Sequence, residues 1–126
     1  MRTPRRGCIY RLKSDRVGKT RPVLIVSPTA HNKGAWCLAA PFYSEQIETR
    51  RKFPFCVVFA EGEFGLEKEC ALKLDEVSLF KQSELRLADG MVGEVSDERM
   101  QDVDRALLSA LGIDATLNRG PSSPSP

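Results

Sequence analysis

The chain has 126 residues, 41% hydrophobic and 29% charged, with a formal net charge of +2. This is one domain's worth of sequence, able to bury about two thirds of its unfolded surface without metal or disulfide staples. No apolar run approaches the roughly 18–20 residues of a membrane span. The basic stretch from Met1 to Gly7 leads into a strand-sized run rather than a signal-peptide core, so a membrane protein, a secreted precursor and a disordered chain are not expected.

The first half reads as short strands between turns. Cys8–Leu12 alternates weakly and is followed by a polar loop from Lys13 to Thr20. Val23-Leu24-Ile25-Val26 after Pro22 is a continuous apolar run, the pattern of a strand buried on both faces. Ser27-Pro28-Thr29 and Asn32-Lys33-Gly34 supply turn chemistry. Trp36–Ala40 is a third strand that Pro41 is expected to end, and Tyr43–Lys52 a charged loop. Phe53–Phe59 is a fourth strand with Pro54 near its start. Ala71–Leu74 and Val77–Phe80 follow, interrupted at Asp75-Glu76.

The period then changes. Ser96 is an N-cap residue with Asp97 and Glu98 in the first turn. Met100, Val103, Leu107, Ala110 and Leu111 recur at helical spacing, and Gly112 is a natural helix terminator. The expected architecture is mainly β: a strongly bent antiparallel sheet or half-barrel capped by one C-terminal helix. Residues 1–113 form the domain, and the Pro/Ser-rich segment 114–126 is expected to be disordered.

Cys8, Cys37, Cys56 and Cys70 include no C-x-x-C pair, and His31 is the one histidine. That spacing argues against a metal site and for four buried free thiols in a reducing, cytoplasmic compartment. Residues 1–52 carry 12 Lys or Arg against three acidic residues, whereas residues 53–126 carry seven against 14. The division suggests a basic face for a polyanion and a separate acidic face, unless the two halves interleave in the fold.

Arg6-Gly7-x-Ile9-Tyr10, Thr20-Arg21-Pro22-Val23-Leu24-Ile25-Val26, Asn32 and Pro41-x-x-Ser44 form an ordered set. It continues with Phe64-Gly65-Leu66, Leu72-Lys73-Leu74-Asp75-Glu76, Leu85, Gly90 and Leu111-Gly112. Over about residues 6–113 this set resembles the MazF/PemK (Kid-type) toxins of type II toxin–antitoxin systems. The resemblance implies a small SH3-like β-barrel of the CcdB/PemK type and a homodimer. It also implies a sequence-specific endoribonuclease acting on single-stranded RNA, neutralised by an acidic cognate antitoxin. The implied reaction needs no metal or other cofactor: the ribose 2′-OH attacks the adjacent phosphate, leaving 2′,3′-cyclic phosphate and 5′-OH ends.

Such chemistry needs a base, an acid and cations for the phosphorane. Arg21, on a stiff Arg-Pro junction before the most buried strand, offers a planar fork of donors to phosphate. Lys73 and Asp75 are two apart on a strand-like run and so are expected on one face, the ammonium as charge stabiliser and the carboxylate as base. An Arg and an Asp hold those roles in the Kid-type branch, so Lys73 is a departure. Ser44 supplies a hydroxyl to the phosphate. Tyr43 stands where the family usually carries Thr and can donate a hydrogen bond or stack a base. The Lys13–Thr20 loop is short and lacks a Glu often found there. Arg50, Arg51 and Lys52 beside Phe53 and Phe55 join phosphate-binding charge to aromatic surface, although for the phenylalanines a place in the core is the favoured expectation. His31 is a groove residue by its place beside Asn32, and Trp36 belongs to the core or a dimer interface. Two other readings stay open: a catalytically degenerate module that binds RNA or protein, and a CcdB-like gyrase poison.

Overall fold

The computed structural model describes residues 3–13 and 21–114. The short Lys13–Thr20 loop and the 114–126 tail therefore lie almost wholly outside the described residues. Seven strands form one curled antiparallel sheet: β1 (Cys8–Arg11), β2 (Pro22–Ile25), β3 (Trp36–Tyr43), β4 (Cys56–Phe59), β5 (Cys70–Lys73), β6 (Ser78–Lys81) and β7 (Met91–Glu94). Two helices accompany them, the single turn α1 (Ile47–Arg50) and α2 (Asp97–Ala110). The strand order is β4-β5-β3-β2-β1-β7, with β6 also paired to β3. The expected β-rich half-barrel with a terminal helix is the fold observed.

β3 bends the sheet. Residues 36–39 pair with β6, residues 42 and 43 pair with β5, and residues 39–41 pair with β2 on the other side. Pro41 does not end the strand as expected. It stands where β3 changes partner from β6 to β5, a position at which its missing N–H breaks no ladder on that side.

Val23, Leu24 and Ile25 of β2 are fully buried, as a strand covered on both faces requires. Leu24 packs with Ile9, Phe42, Phe59 and Leu72 against Met100, Val103 and Ala106 of α2. Val23 and Ile25 pack on the opposite face with Cys8, Tyr10, Cys37 and Leu85. The Ser96 side chain accepts a hydrogen bond from the Arg99 N–H at 3.2 Å and caps α2. At the other end Gly112 has φ +73° and donates to Ser109 O, while Ile113 donates to Leu108 O, a Schellman termination. Leu111 is the C-cap residue inside that turn and is 64% exposed rather than buried.

β7 is absent from the sequence reading. Met-Val-Gly-Glu shows no strand alternation, because Gly93 is there to allow close approach: a Cβ would come within 1.9 Å of Phe64 O. Conversely, Phe53–Phe55 is a turn, and β4 begins at Cys56. All four cysteines are free; Cys8, Cys37 and Cys70 are buried as expected, whereas Cys56 is only partly buried. Burial pushes the thiols of Cys37 and Cys70 up to about 11.

A buried polar lock fixes the turn before β3. The Asn32 amide donates to Pro4 O at 3.0 Å and Ser27 O at 3.2 Å, and its oxygen accepts from the Ser27 hydroxyl at 2.6 Å. Asn32 is fully buried, and each of its side-chain polar atoms has a partner, which is what burial of an amide demands.

Candidate nucleic-acid interface

The pairing register builds the site. Val23 faces Pro41 across β2 and β3, so two residues further along Arg21 comes opposite Tyr43. Tyr43 also faces Ala71 on β5, which puts Lys73, two residues on, on the same sheet face as a diagonal neighbour. After β3 the chain reverses through Gln46, a non-glycine residue at φ +56°, and α1 returns Arg50 to the same ring. Three cations therefore gather on one phenol. The Arg21 guanidinium carbon is 4.6 Å from the Tyr43 ring centroid, that of Arg50 4.5 Å, and Lys73 Nζ 5.6 Å.

Glu76 completes the cluster. The Tyr43 hydroxyl donates to one of its carboxylate oxygens, and Lys73 Nζ donates to the other at 2.8 Å. Burial and the hydrogen bond to Glu76 push the Tyr43 phenol above its ordinary value. Burial alone would raise the Glu76 carboxyl, but the hydrogen bonds from Lys73 and Tyr43 and the nearby cations outweigh it and hold it low. The bond to Glu76 raises Lys73 in turn, against partial desolvation.

Arg21 and Tyr43 line one side of a groove of about 400 Å³, together with Arg11, Ser44, Glu67 and Lys68. Arg11 and Glu67 pair across it at 3.3 Å. Among the described residues no carboxylate lies within 4 Å of the guanidinium of Arg21 or Arg50, and Arg50 Nε and Nη1 are buried without a hydrogen-bond partner. Buried donors left open in this way favour an anionic guest.

Several expectations change. Lys73 and Asp75 do come together, at 3.8 Å, but not by strand alternation. Lys73 ends β5, and residues 74–76 form a 3-10 turn that swings both Asp75 and Glu76 toward the ammonium. Glu76 was missed. The signal available was its spacing of three from Lys73, which matters only once a helical turn replaces the strand. Arg11 was likewise missed, because its place beside the groove depends on β1 pairing with β2.

The two charged halves of the sequence interleave. Arg5, Arg6, Arg11 and Arg51 pair with Glu94, Asp104, Glu67 and Glu69. Part of the N-terminal positive charge is taken up by carboxylates of the C-terminal half, whereas among the described residues Arg21 and Arg50 at Tyr43 have no carboxylate partner. Arg51 is thus engaged, also with Glu48 at 3.2 Å, while Lys52 is exposed in the following turn. Phe53 and Phe55 lie outside the core, stacked at 5.0 Å with Phe53 43% exposed. His31 sits in the 3-10 turn Thr29–Lys33 ahead of β3, whereas Tyr43 ends that strand, and His31 is not among the residues that line the groove with Arg21 and Tyr43. Trp36 is not in the core: it is 44% exposed beside Leu38 and Leu79.

Among the described residues no group of three His, Cys, Asp or Glu could hold a metal ion, and no helix is long and apolar enough to cross a membrane.

The sequence pattern of the PemK-like, MazF-like toxins of type II toxin–antitoxin systems matches residues 5–111. The chain belongs to that family. Among solved structures it is similar to an endoribonuclease from a mycobacterial species, with 30% identity, TM-score 0.71, and 90% of this chain and 95% of that one covered. A mycobacterial endoribonuclease in complex with its cognate antitoxin gives 29% identity and TM-score 0.71 over 88% and 97% of the chains. MazE–MazF from Deinococcus radiodurans, at 21% identity, TM-score 0.68 and coverages of 90% and 100%, shares the fold. The two mycobacterial chains are named as endoribonucleases, not as gyrase-directed toxins.

Proposed function

We propose that this chain is the toxin of a type II toxin–antitoxin pair, a metal-independent endoribonuclease that cleaves single-stranded RNA, mRNA above all, by 2′-OH attack. The observation that carries the reading is the cluster of Arg21, Arg50 and Lys73 on Tyr43, with two guanidinium groups that have no carboxylate partner among the described residues. Such a cluster accepts a phosphate and stabilises the charge that grows on it as the phosphorane forms. Arg21 stabilises the pentavalent phosphate. Asp75, exposed beside Lys73, takes or returns the proton. Lys73 and the Ser44 hydroxyl at the groove rim orient the phosphate. Arg50, Lys52 and the exposed Phe53–Phe55 stack extend the strand's path beyond the cleavage point, as phosphate contacts and base platform.

The antitoxin's acidic segment would compete for the same cations, the simplest way for one polyanion to displace another. A homodimer is part of this reading. Trp36 and Leu38 on β3 and Leu79 opposite Leu38 on β6 form an exposed apolar strip beside an edge of β6 that no other strand covers among the described residues, and an edge of that kind invites a second copy. Action on mRNA places the protein in the cytoplasm.

Incubation of the purified protein with long single-stranded RNA in EDTA tests the function. Discrete fragments with 2′,3′-cyclic phosphate ends support it. Binding without cleavage would turn the reading to a degenerate RNA-binding member, and neither binding nor cleavage would sink it.

A further inference from the structure

This inference rests on the RNA-cleavage reading and concerns a residue that reading leaves without a role. Both oxygens of Glu76 are engaged, one by the Tyr43 hydroxyl and the other by Lys73 Nζ at 2.8 Å. Tyr43 is in turn the ring on which Arg21, Arg50 and Lys73 lie, at 4.5–5.6 Å. One carboxylate thus fixes the phenol that three cations share. Asp75 stands 3.8 Å from the same ammonium and bonds to neither donor.

We propose that Glu76 is a positioning residue with two opposed effects: it holds Tyr43 and Lys73 where the reacting phosphate needs them, and as a fixed anion it weakens RNA binding. The first effect follows from geometry. A phenol and an ammonium tethered to one rigid acceptor need no reorganisation when charge moves onto the phosphate. The second follows from Coulomb's law, since an entering phosphate must share three cations with a carboxylate already among them. Rate and affinity therefore move in opposite directions when the charge is removed, which a scaffold residue would not produce.

Glu76→Gln keeps the size and an acceptor oxygen but not the charge. Affinity is read with fully 2′-O-methylated single-stranded RNA, which cannot be cleaved, and kcat with ordinary RNA of the same sequence. Affinity at low salt is expected to rise about three- to tenfold and kcat to fall at least about tenfold, with a melting temperature near wild type. Tyr43→Phe keeps the ring and removes the tether from the other side. It should lower kcat without raising affinity, and it carries the test if Glu76→Gln folds poorly. Equal kcat in wild type and Glu76→Gln overturns the positioning role, and so does a parallel loss of rate and affinity. A wild type that binds but cleaves nothing refutes the cleavage reading itself, and the positioning role falls with it.

Discussion

Arg21→Ala is the substitution on which the catalytic assignment turns. The side chain lies 4.6 Å from the Tyr43 ring and has no carboxylate within 4 Å among the described residues. Its contribution to stability is therefore a half-exposed cation–π contact, about 0.5–1 kcal/mol, with no buried ion pair broken on removal. A domain of this size should lose only about 2–6 °C in melting temperature. The loss to the reaction is much larger. Withdrawing one electrostatic participant from a phosphorane lowers the rate by about 10²–10⁴-fold, or roughly 3–5 kcal/mol of transition-state stabilisation. Arg21→Lys separates charge from shape: it should fall between Ala and wild type, because an ammonium retains the charge without the planar fork. Asp75→Ala should show the same large loss with little change in stability, since the residue is exposed. The assay is single-turnover cleavage of single-stranded RNA, with circular dichroism melts of each variant. If wild type cleaves while folded Arg21→Ala and Asp75→Ala both cleave at full rate, the assignment is wrong.

Four further outcomes follow from the geometry. Asn32→Ala strips donors from Pro4 O and Ser27 O and an acceptor from the Ser27 hydroxyl, so chemical denaturation should show a loss of about 2–4 kcal/mol; less than about 1 kcal/mol would mean the lock is dispensable. The Glu76 carboxyl, held low by Lys73 and Tyr43 with Arg50 nearby, stabilises the fold above the ordinary carboxylate range. That contribution is lost as pH falls through the lowered value. Melts from pH 6 to about pH 3 should therefore decline more steeply in wild type than in Glu76→Gln, and parallel curves would contradict the linkage. Leu79→Asp, placing a charge on the exposed β3–β6 strip, should shift the sedimentation of a dimer toward monomer while the fold persists; an unchanged dimer would locate the interface elsewhere. His31→Ala should cleave within about threefold of wild type, because His31 does not line the groove with Arg21 and Tyr43; a loss above about 30-fold would bring His31 into the groove.

What was legible in the sequence was whatever local period or turn chemistry encodes. The apolar run of β2, the Ser96 cap, the spacing of Met100 and Val103, and Gly112 as terminator each need only a few neighbouring residues to be read. β7 escaped because its Gly93 answers to Phe64, in the 3-10 turn Glu63–Gly65 that packs against it, rather than to its own alternation. Pro41 misled for a related reason: a proline ends a strand unless the strand changes partner at that residue, and only topology decides that. At the candidate site the same division holds. Arg21, Ser44, Lys73 and Asp75 were found through the family pattern; the fold sets Arg21 and Lys73 on the Tyr43 ring, Asp75 beside Lys73, and Ser44 in the groove lining with Arg21. Glu76 was passed over because strand alternation sent it to the opposite face from Lys73, whereas a 3-10 turn brings positions three apart together. Tyr43 shows the point most clearly. In the sequence it is a bulky departure from threonine at the groove. In the structure its ring receives Arg21, Arg50 and Lys73, and its hydroxyl ties that assembly to Glu76. A threonine at this position has no ring on which to gather them. Tyr43 and Glu76 therefore form one unit, and a change at either alone leaves the other with a hydrogen-bonding group lacking its partner.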